Sequence, residues 1–261
     1  MPLGVFDSGV GGLTVVRALR AAFPNRDILY VGDTARVPYG NKSAETVTMY
    51  SREIIHFLKK KGADRIVVAC NTASALAVGK LRDSASVPLH GMIESGVRAA
   101  LEVAGSGPVG VIGTSATIAS GAYQTALSQL RPDWKIFAQA TPLLAPLVEE
   151  SWLEGEVTEK VVRRYLEPMM REKIRVLMLA CTHYPLLKGV LRKVLGSEVA
   201  LVDSSEACAK SLESTEANVV EKGELKIYLT DEPGPFFGRV ENFLGSGSVG
   251  SIQRIALEPV V

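Results

Sequence analysis

The chain has 261 residues, 47% hydrophobic and 22% charged, a composition that excludes global disorder and allows one large domain or two small ones. Its 29 Lys and Arg against 28 Asp and Glu leave a net charge of +1, which excludes a broad electrostatic hold on nucleic acid. The three cysteines, Cys70, Cys181 and Cys208, are too few and odd in number for a secreted disulfide scaffold, so a cytoplasmic location is expected.

No basic segment precedes the first apolar run of MPLGVFDSGVGG, and no stretch supplies the roughly 18 uninterrupted apolar residues of a bilayer span. A soluble chain with no targeting segment and no membrane partner is expected. Short β-branched apolar runs alternate with amphipathic segments, as in a parallel sheet covered by helices. The first predicted strand is Leu3 to Phe6, followed by a helix-like LTVVRALRAAF, and the second is Ile28 to Gly32. Between Lys42 and Lys61, Val47, Met49, Tyr50, Ile54, Phe57 and Leu58 recur near the helical period, with Gly62 as the C-terminal stop. Further strands are predicted over Arg65 to Ala69, Gly107 to Gly113, Ile174 to Ala180 and Val199 to Asp203. The turn-rich GSGPVG at Gly105 to Gly110 places a domain boundary near residues 96 to 107. Late in the chain, LKIYLTD and SIQRIAL read as strands returning to the first sheet, with FFGRVENFLG between them as a short helix.

Two segments echo each other. RIVVACNTAS around Cys70 and VLMLACTHYP around Cys181 are both apolar strands ending in Ala-Cys and then polar residues, 111 positions apart. Internal duplication is one account and coincidence the other.

The chemistry-bearing residues cluster at strand ends. FDSGVGG puts Asp7 and Ser8 between a strand and a glycine-rich turn, either a ligand loop or a structural turn. Thr14 stands where GxGxxG needs its third glycine and no GxxxxGK[ST] occurs, so nucleotide binding is disfavoured. Cys70 is followed by Asn71 and Thr72, and Cys181 by Thr182 and His183. Either thiol alone reads equally as an inert buried side chain. His56 on its periodic helix, His90 near a loop and Cys208 on a helix face read as structural. With no CxxC and no HExxH, no metal is expected. Two matched thiols suit deprotonation of a planar carbon intermediate on one face and reprotonation on the other, with no cofactor. Asp7 could assist Cys70, while His183 and an acid from Glu149 to Ser151 could assist Cys181. A Cys181–His183 hydrolase is the alternative chemistry, and an amino-acid-binding protein the alternative class.

Taken together, FDSGVGGLTV, YVGDTARVPYG, VVACNTASA, GVIGT and LACTHYPLL resemble the glutamate racemase family more than aspartate or hydantoin racemases. The resemblance implies two similar three-layer α/β/α domains with mostly parallel sheets, a pseudo-two-fold relation and an active site in the interdomain cleft. It assigns 1–96 plus 208–261 to the first domain and 97–207 to the second. It implies that Cys70 removes the α-proton of D-glutamate and Cys181 that of L-glutamate. Asp7, Glu149 and His183 are implied as assisting catalytic groups, with Glu150 adjacent to the acidic position. Asp7, Ser8, Tyr39, Gly40, Asn71, Thr72, Thr114, Thr182 and His183 are implied at the substrate. ATPLLAPLVEE departs from the family pattern at Thr141, Leu144 and Ala145. The implied partners are L- and D-glutamate and a second copy in a homodimer, and the implied role is supply of D-glutamate for peptidoglycan.

Overall fold

The computed structural model describes residues 1–105, 107–212, 223–245 and 249–260. Among the described residues ten strands lie in two parallel sheets. β1 (Leu3–Asp7), β2 (Ile28–Gly32), β3 (Arg65–Val68) and β4 (Leu89–Gly91) are linked by α1 (Leu13–Ala22), α2 (Ala44–Lys60), α3 (Asn71–Leu76) and α4 (Val78–Leu81). The chain leaves through α5 (Met92–Val103) and builds β5 (Val109–Gly113), β6 (Ile136–Ala140), β7 (Val176–Ala180) and β8 (Ala200–Asp203). The intervening helices are α6 (Ser115–Ala119), α7 (Ala122–Leu130), α8 (Leu144–Glu149), α9 (Glu156–Arg171) and α10 (Lys188–Leu195). It then continues into α11 (Ser204–Leu212), β9 (Leu225–Leu229), α12 (Gly234–Leu244) and β10 (Ser251–Arg254).

The first sheet has the order β10-β9-β2-β1-β3-β4 and the second β6-β5-β7-β8. Stripped of its two late strands, the first reads 2-1-3-4, and the second repeats that order strand for strand. The Cys70/Cys181 echo therefore coincides with equivalent positions, the ends of β3 and β7, in two units related by a pseudo-two-fold. In each unit the connection reverses direction beside the first strand, so a crevice opens at the carboxyl ends of β1/β3 and of β5/β7, where open parallel sheets bind ligands.

Both sheets are apolar on both faces, as crossover helices on each side require. Along β1, Leu3 and Val5 pack into one core cluster and Phe6 into another. Along β7, Leu177 and Leu179 face one way while Val176, Met178 and Ala180 face the other. Helix α2 matches its expected span: Ser43 caps it by accepting from the Thr46 amide at 3.2 Å, and Gly62 at φ +89° ends it. There the Gly62 and Ala63 amides donate to the Lys59 and Leu58 carbonyls, a glycine-closed C-terminus.

Both late strands rejoin the first sheet through β2–β9 and β9–β10 pairing. The strand predicted from Gly107 starts at Val109, because the Gly107 amide turns back to the Ala104 carbonyl and Pro108 has no amide to give. The half-buried edge strand β6 and the three-residue β4 carried too little apolar pattern to be predicted. The two expected domain boundaries fall within α5 and α11. Among the described residues no helix is long and apolar enough to cross a membrane.

Candidate active site

A cavity of about 320 Å³ lies where the carboxyl ends of β1, β3, β5 and β7 converge. All twelve residues expected at the site line it: Asp7, Ser8, Tyr39, Gly40, Asn71 and Thr72 from the first unit, Thr114, Glu149, Cys181, Thr182 and His183 from the second, and Cys70. His56, His90 and Cys208 do not. Among the described residues no group of three or more His, Cys, Asp or Glu side chains is placed to hold a metal ion.

Cys70 ends the extended run after β3 and caps α3, its Sγ accepting from the Ala73 amide at 3.5 Å and lying 3.9 Å from Ser8 Oγ. Burial, reinforced by the Asp7 charge and opposed by those two hydrogen bonds, pushes its thiol up to about 12. Asp7, at the end of β1, is itself buried; its Oδ2 accepts from the Gly9 amide at 3.0 Å and its Oδ1 from Thr182 Oγ1 at 3.4 Å. Burial raises its carboxyl, partly offset by the charge of His183 and by hydrogen bonds.

Cys181 stands in the matching place after β7, with its Sγ 3.9 Å from His183 Nδ1. His183 Nε2 lies 3.0 Å from Glu149 Oε1, the tip of α8 carrying that acid to the cavity. Burial alone would lower the imidazole, but hydrogen bonds to Cys181 and Glu149 and the charges of Cys181 and Asp7 outweigh it, holding His183 up to about 10. Of the two adjacent acids only Glu149 lines the cavity; Glu150 is exposed. The two thiols thus have unlike surroundings: a hydroxyl and an amide at Cys70, an imidazole–carboxylate pair at Cys181.

The glycine run proves to be a close-packing device. A Cβ on Gly11 would sit 2.5 Å from the His183 ring and closer still to Thr182 Oγ1, and one on Gly12 would press on Asp7 and Tyr30. Thr14, in place of a third glycine, accepts and donates between units: its hydroxyl lies 2.9 Å from the Thr182 carbonyl and 3.2 Å from Ser205 Oγ.

Hydroxyls of Thr72, Thr114 and Thr117 form a triangle with sides of 2.9, 3.1 and 2.8 Å across the two units. Gly40 lies so near Thr114 that an added Cβ would stand 2.7 Å from the Thr114 Cβ. The Asn71 side chain is held from the second unit, accepting from Tyr123 Oη at 2.6 Å and donating to Ser204 Oγ at 3.4 Å. Tyr39 lines the cavity while its hydroxyl donates to Asp33. Sequence reading did not single out Pro38, Asn41, Ser115, Pro142 or Pro146, which also line the cavity. The duplication offered one signal: Thr114–Ser115 follows β5 as Asp7–Ser8 closes β1. Among the described residues no Lys or Arg lines the cavity, so anionic groups there would meet hydroxyls, amides and one imidazole.

A model of the Asp/Glu/hydantoin racemase family matches residues 13–212. The glutamate racemase of Geobacter metallireducens is 44% identical over 98% of this chain and 97% of its own length. That of Aquifex aeolicus is 50% identical over 88% and 89%. The crystal structure of glutamate racemase from Francisella tularensis in complex with D-glutamate superposes with a TM-score of 0.91 at 35% identity, covering 98% of each chain. With matched thiols across one cavity and likeness over nearly its whole length, the chain belongs to the Asp/Glu/hydantoin racemase family, on its glutamate racemase branch.

Proposed function

We infer that the chain interconverts L- and D-glutamate by a two-base reaction. The observation that carries this reading is a pair of buried thiols at equivalent strand ends of two pseudo-symmetric sheets, lining one cavity. With L-glutamate, the Cys181 thiolate takes the α-proton; the C–H electron pair passes into the carboxylate, and the Cys70 thiol returns a proton to the opposite face. With D-glutamate each thiol does the reverse. A Cys70 thiol held up to about 12 begins as the acid, and the Cys181 sulfur stands 3.9 Å from Nδ1 of a His183 imidazole that is held up to about 10. One L-to-D passage leaves the opposite pattern of protonation, which D-glutamate or proton exchange with solvent restores.

The difficulty is the weak acidity of the α-proton. Fixed donors around the substrate carboxylate stabilise the developing charge, each worth about 2.7–4 kcal/mol in water-excluded sites, and positioned acid–base groups contribute roughly 10²–10⁴-fold. Ser8, Thr72, Thr114 and Thr182 supply hydroxyls for this, Asn71 its second Nδ2 hydrogen, the first being donated to Ser204, and Tyr39 and Gly40 the wall beside them. Asp7 pairs with the ammonium group, and Glu149 keeps His183 charged and oriented. The division into 1–96 plus 208–261 and 97–207 would let the units close around the substrate. A cytoplasmic supply of D-glutamate for peptidoglycan, from a homodimer, goes with this reading.

The test is incubation with enantiopure glutamate and, separately, aspartate in deuterated water. Racemisation with α-deuterium uptake is expected for glutamate in preference to aspartate. Neither racemisation nor exchange, or a thioester on Cys181 with net hydrolysis of an acyl substrate, would overturn the reading.

A further inference from the structure

Behind the cavity wall lies a buried ionic cluster that the proposed reaction does not use. Asp33 follows β2, is fully buried, and accepts from Arg36 Nε with both oxygens at 2.9 and 2.8 Å. Its Oδ1 also accepts from Thr230 Oγ1 at 2.8 Å, beyond β9, and its Oδ2 from the Tyr39 hydroxyl. Arg36 reaches on to Glu53 of α2 and lays its guanidinium 3.9 Å above the Tyr50 ring. The Tyr50 ring stands 5.7 Å from that of Tyr39. Thr230 in turn accepts from the Ala35 amide at 3.0 Å, and the Asp231 amide donates to Thr34 Oγ1 at 3.0 Å. None of Asp33, Arg36, Glu53 or Thr230 lines the cavity, whereas Val37 to Asn41 do.

A buried carboxylate with all its acceptor directions occupied is costly to disturb, because each partner lost leaves a desolvated polar group. Asp33 therefore fixes three things at once: the turn over Thr34–Arg36, the end of β9, and the far end of the Tyr39 side chain. Tyr39 thus lines the cavity with its hydroxyl tied to Asp33, and Gly40 beside it is wedged against Thr114 of the other unit.

We propose that Asp33, with Arg36 and Glu53, is a positioning device that fastens the Tyr39 hydroxyl and so sets the substrate-facing segment Val37–Asn41 against the second unit. The proposal rests on the placing of Tyr39 and Gly40 at the substrate. It makes the Tyr39 hydroxyl an anchor instead of a substrate ligand, and it ties the C-terminal strand pair to substrate affinity.

The test uses the full chain with Asp33→Asn, Arg36→Lys and Glu53→Gln, read by peptide-resolved amide hydrogen exchange without substrate and by steady-state kinetics. In Asp33→Asn one acceptor oxygen must serve three donors, and Arg36→Lys loses the planar fork. In both, exchange across 37–42 should rise at least tenfold, with the peptides carrying Cys70 and Cys181 unchanged. KM for both enantiomers should rise about tenfold, with kcat within threefold. Glu53→Gln, which still accepts from Arg36, should stay within threefold in both readouts. Unchanged exchange at 37–42, loosening spread evenly over the first sheet, or a fall in kcat with KM unmoved would overturn the proposal. Should Asp33→Asn fail to fold, Arg36→Lys carries the same comparison. Wild-type turnover measured alongside reports on the racemase reading separately, because the exchange comparison needs no substrate.

Discussion

Gly11→Ala perturbs the site without replacing any group assigned a proton or a substrate contact. A methyl there would stand 2.5 Å from Cε1 and Nδ1 of His183 and closer to Thr182 Oγ1, where carbon contacts settle at about 3.5–4.0 Å. His183 is also held by Glu149 at 3.0 Å and by a T-shaped contact with Phe243, ring centroids 5.2 Å apart, so it has little room to retreat. A displacement of about 1 Å must fall on the imidazole, on Thr182 or on the α1 entry. Overpacking of this size costs about 1–3 kcal/mol of stability, and a 1 Å misplacement beside a reacting group costs on the order of 10²-fold in rate. Because enantiomers have equal free energy, kcat/KM must fall equally for L- and D-glutamate, so polarimetry from either side gives the number. The control is Gly79→Ala in α4, where no atom lies within 4 Å of an added Cβ; it should leave the rate unchanged and stabilise by about 0.5–1 kcal/mol. If Gly11→Ala kept kcat/KM within threefold of wild type, the packing of the glycine run against Thr182 and His183 would be refuted as a requirement.

Cys70→Ala and Cys181→Ala should each retain a native circular dichroism spectrum and lose at least about 10³-fold in racemisation, near the range that acid–base groups supply; Cys208→Ala, buried in the core but away from the cavity, should stay within threefold. Glu149→Gln should lower kcat/KM by about 10-fold or more through His183, whereas Glu150→Gln should change it less than twofold; equal effects in kinetic assays would show that the acid at the end of α8 is misassigned. His183 is held up to about 10 from an ordinary value near 6.5, so its contribution to stability is complete below about pH 6.5 and is lost as pH rises through about 10. Melting temperature should therefore fall over that window by an amount equivalent to a few kcal/mol, on the order of the shift, and His183→Asn should flatten the fall; an identical pH dependence in the variant would count against the imidazolium.

The features legible in the linear chain are those whose causes are local. A β-branched apolar run ending in Cys-Asn-Thr or Cys-Thr-His is a buried strand meeting a polar crevice, so Cys70 and Cys181, their neighbours and the paired α/β plan were readable from period and adjacency. The 3.6-residue pattern of α2 and its glycine stop were readable for the same reason. What only tertiary structure decided depends on partners far away in sequence. Thr14 meets Thr182 and Ser205 across 168 and 191 residues, and Asp33 meets Thr230 across 197. The choice of Glu149 over Glu150 follows from which residue at the end of α8 points at His183, a rotation of about 100° per residue that apolar patterning alone does not resolve to one position. Glycine-rich FDSGVGG could be a ligand loop or a structural turn; Asp7, Ser8 and Gly9 line the cavity while Gly11 packs against Thr182 and His183, a division only the tertiary structure makes. The near-neutral charge that excluded a nucleic-acid surface also has its local meaning only here, in a cavity lined, among the described residues, by two acids and one imidazole and by neither Lys nor Arg. Local pattern determines where strands end and which residues stand there; only packing of one unit against the other determines which of those residues share a cavity and in what charge state.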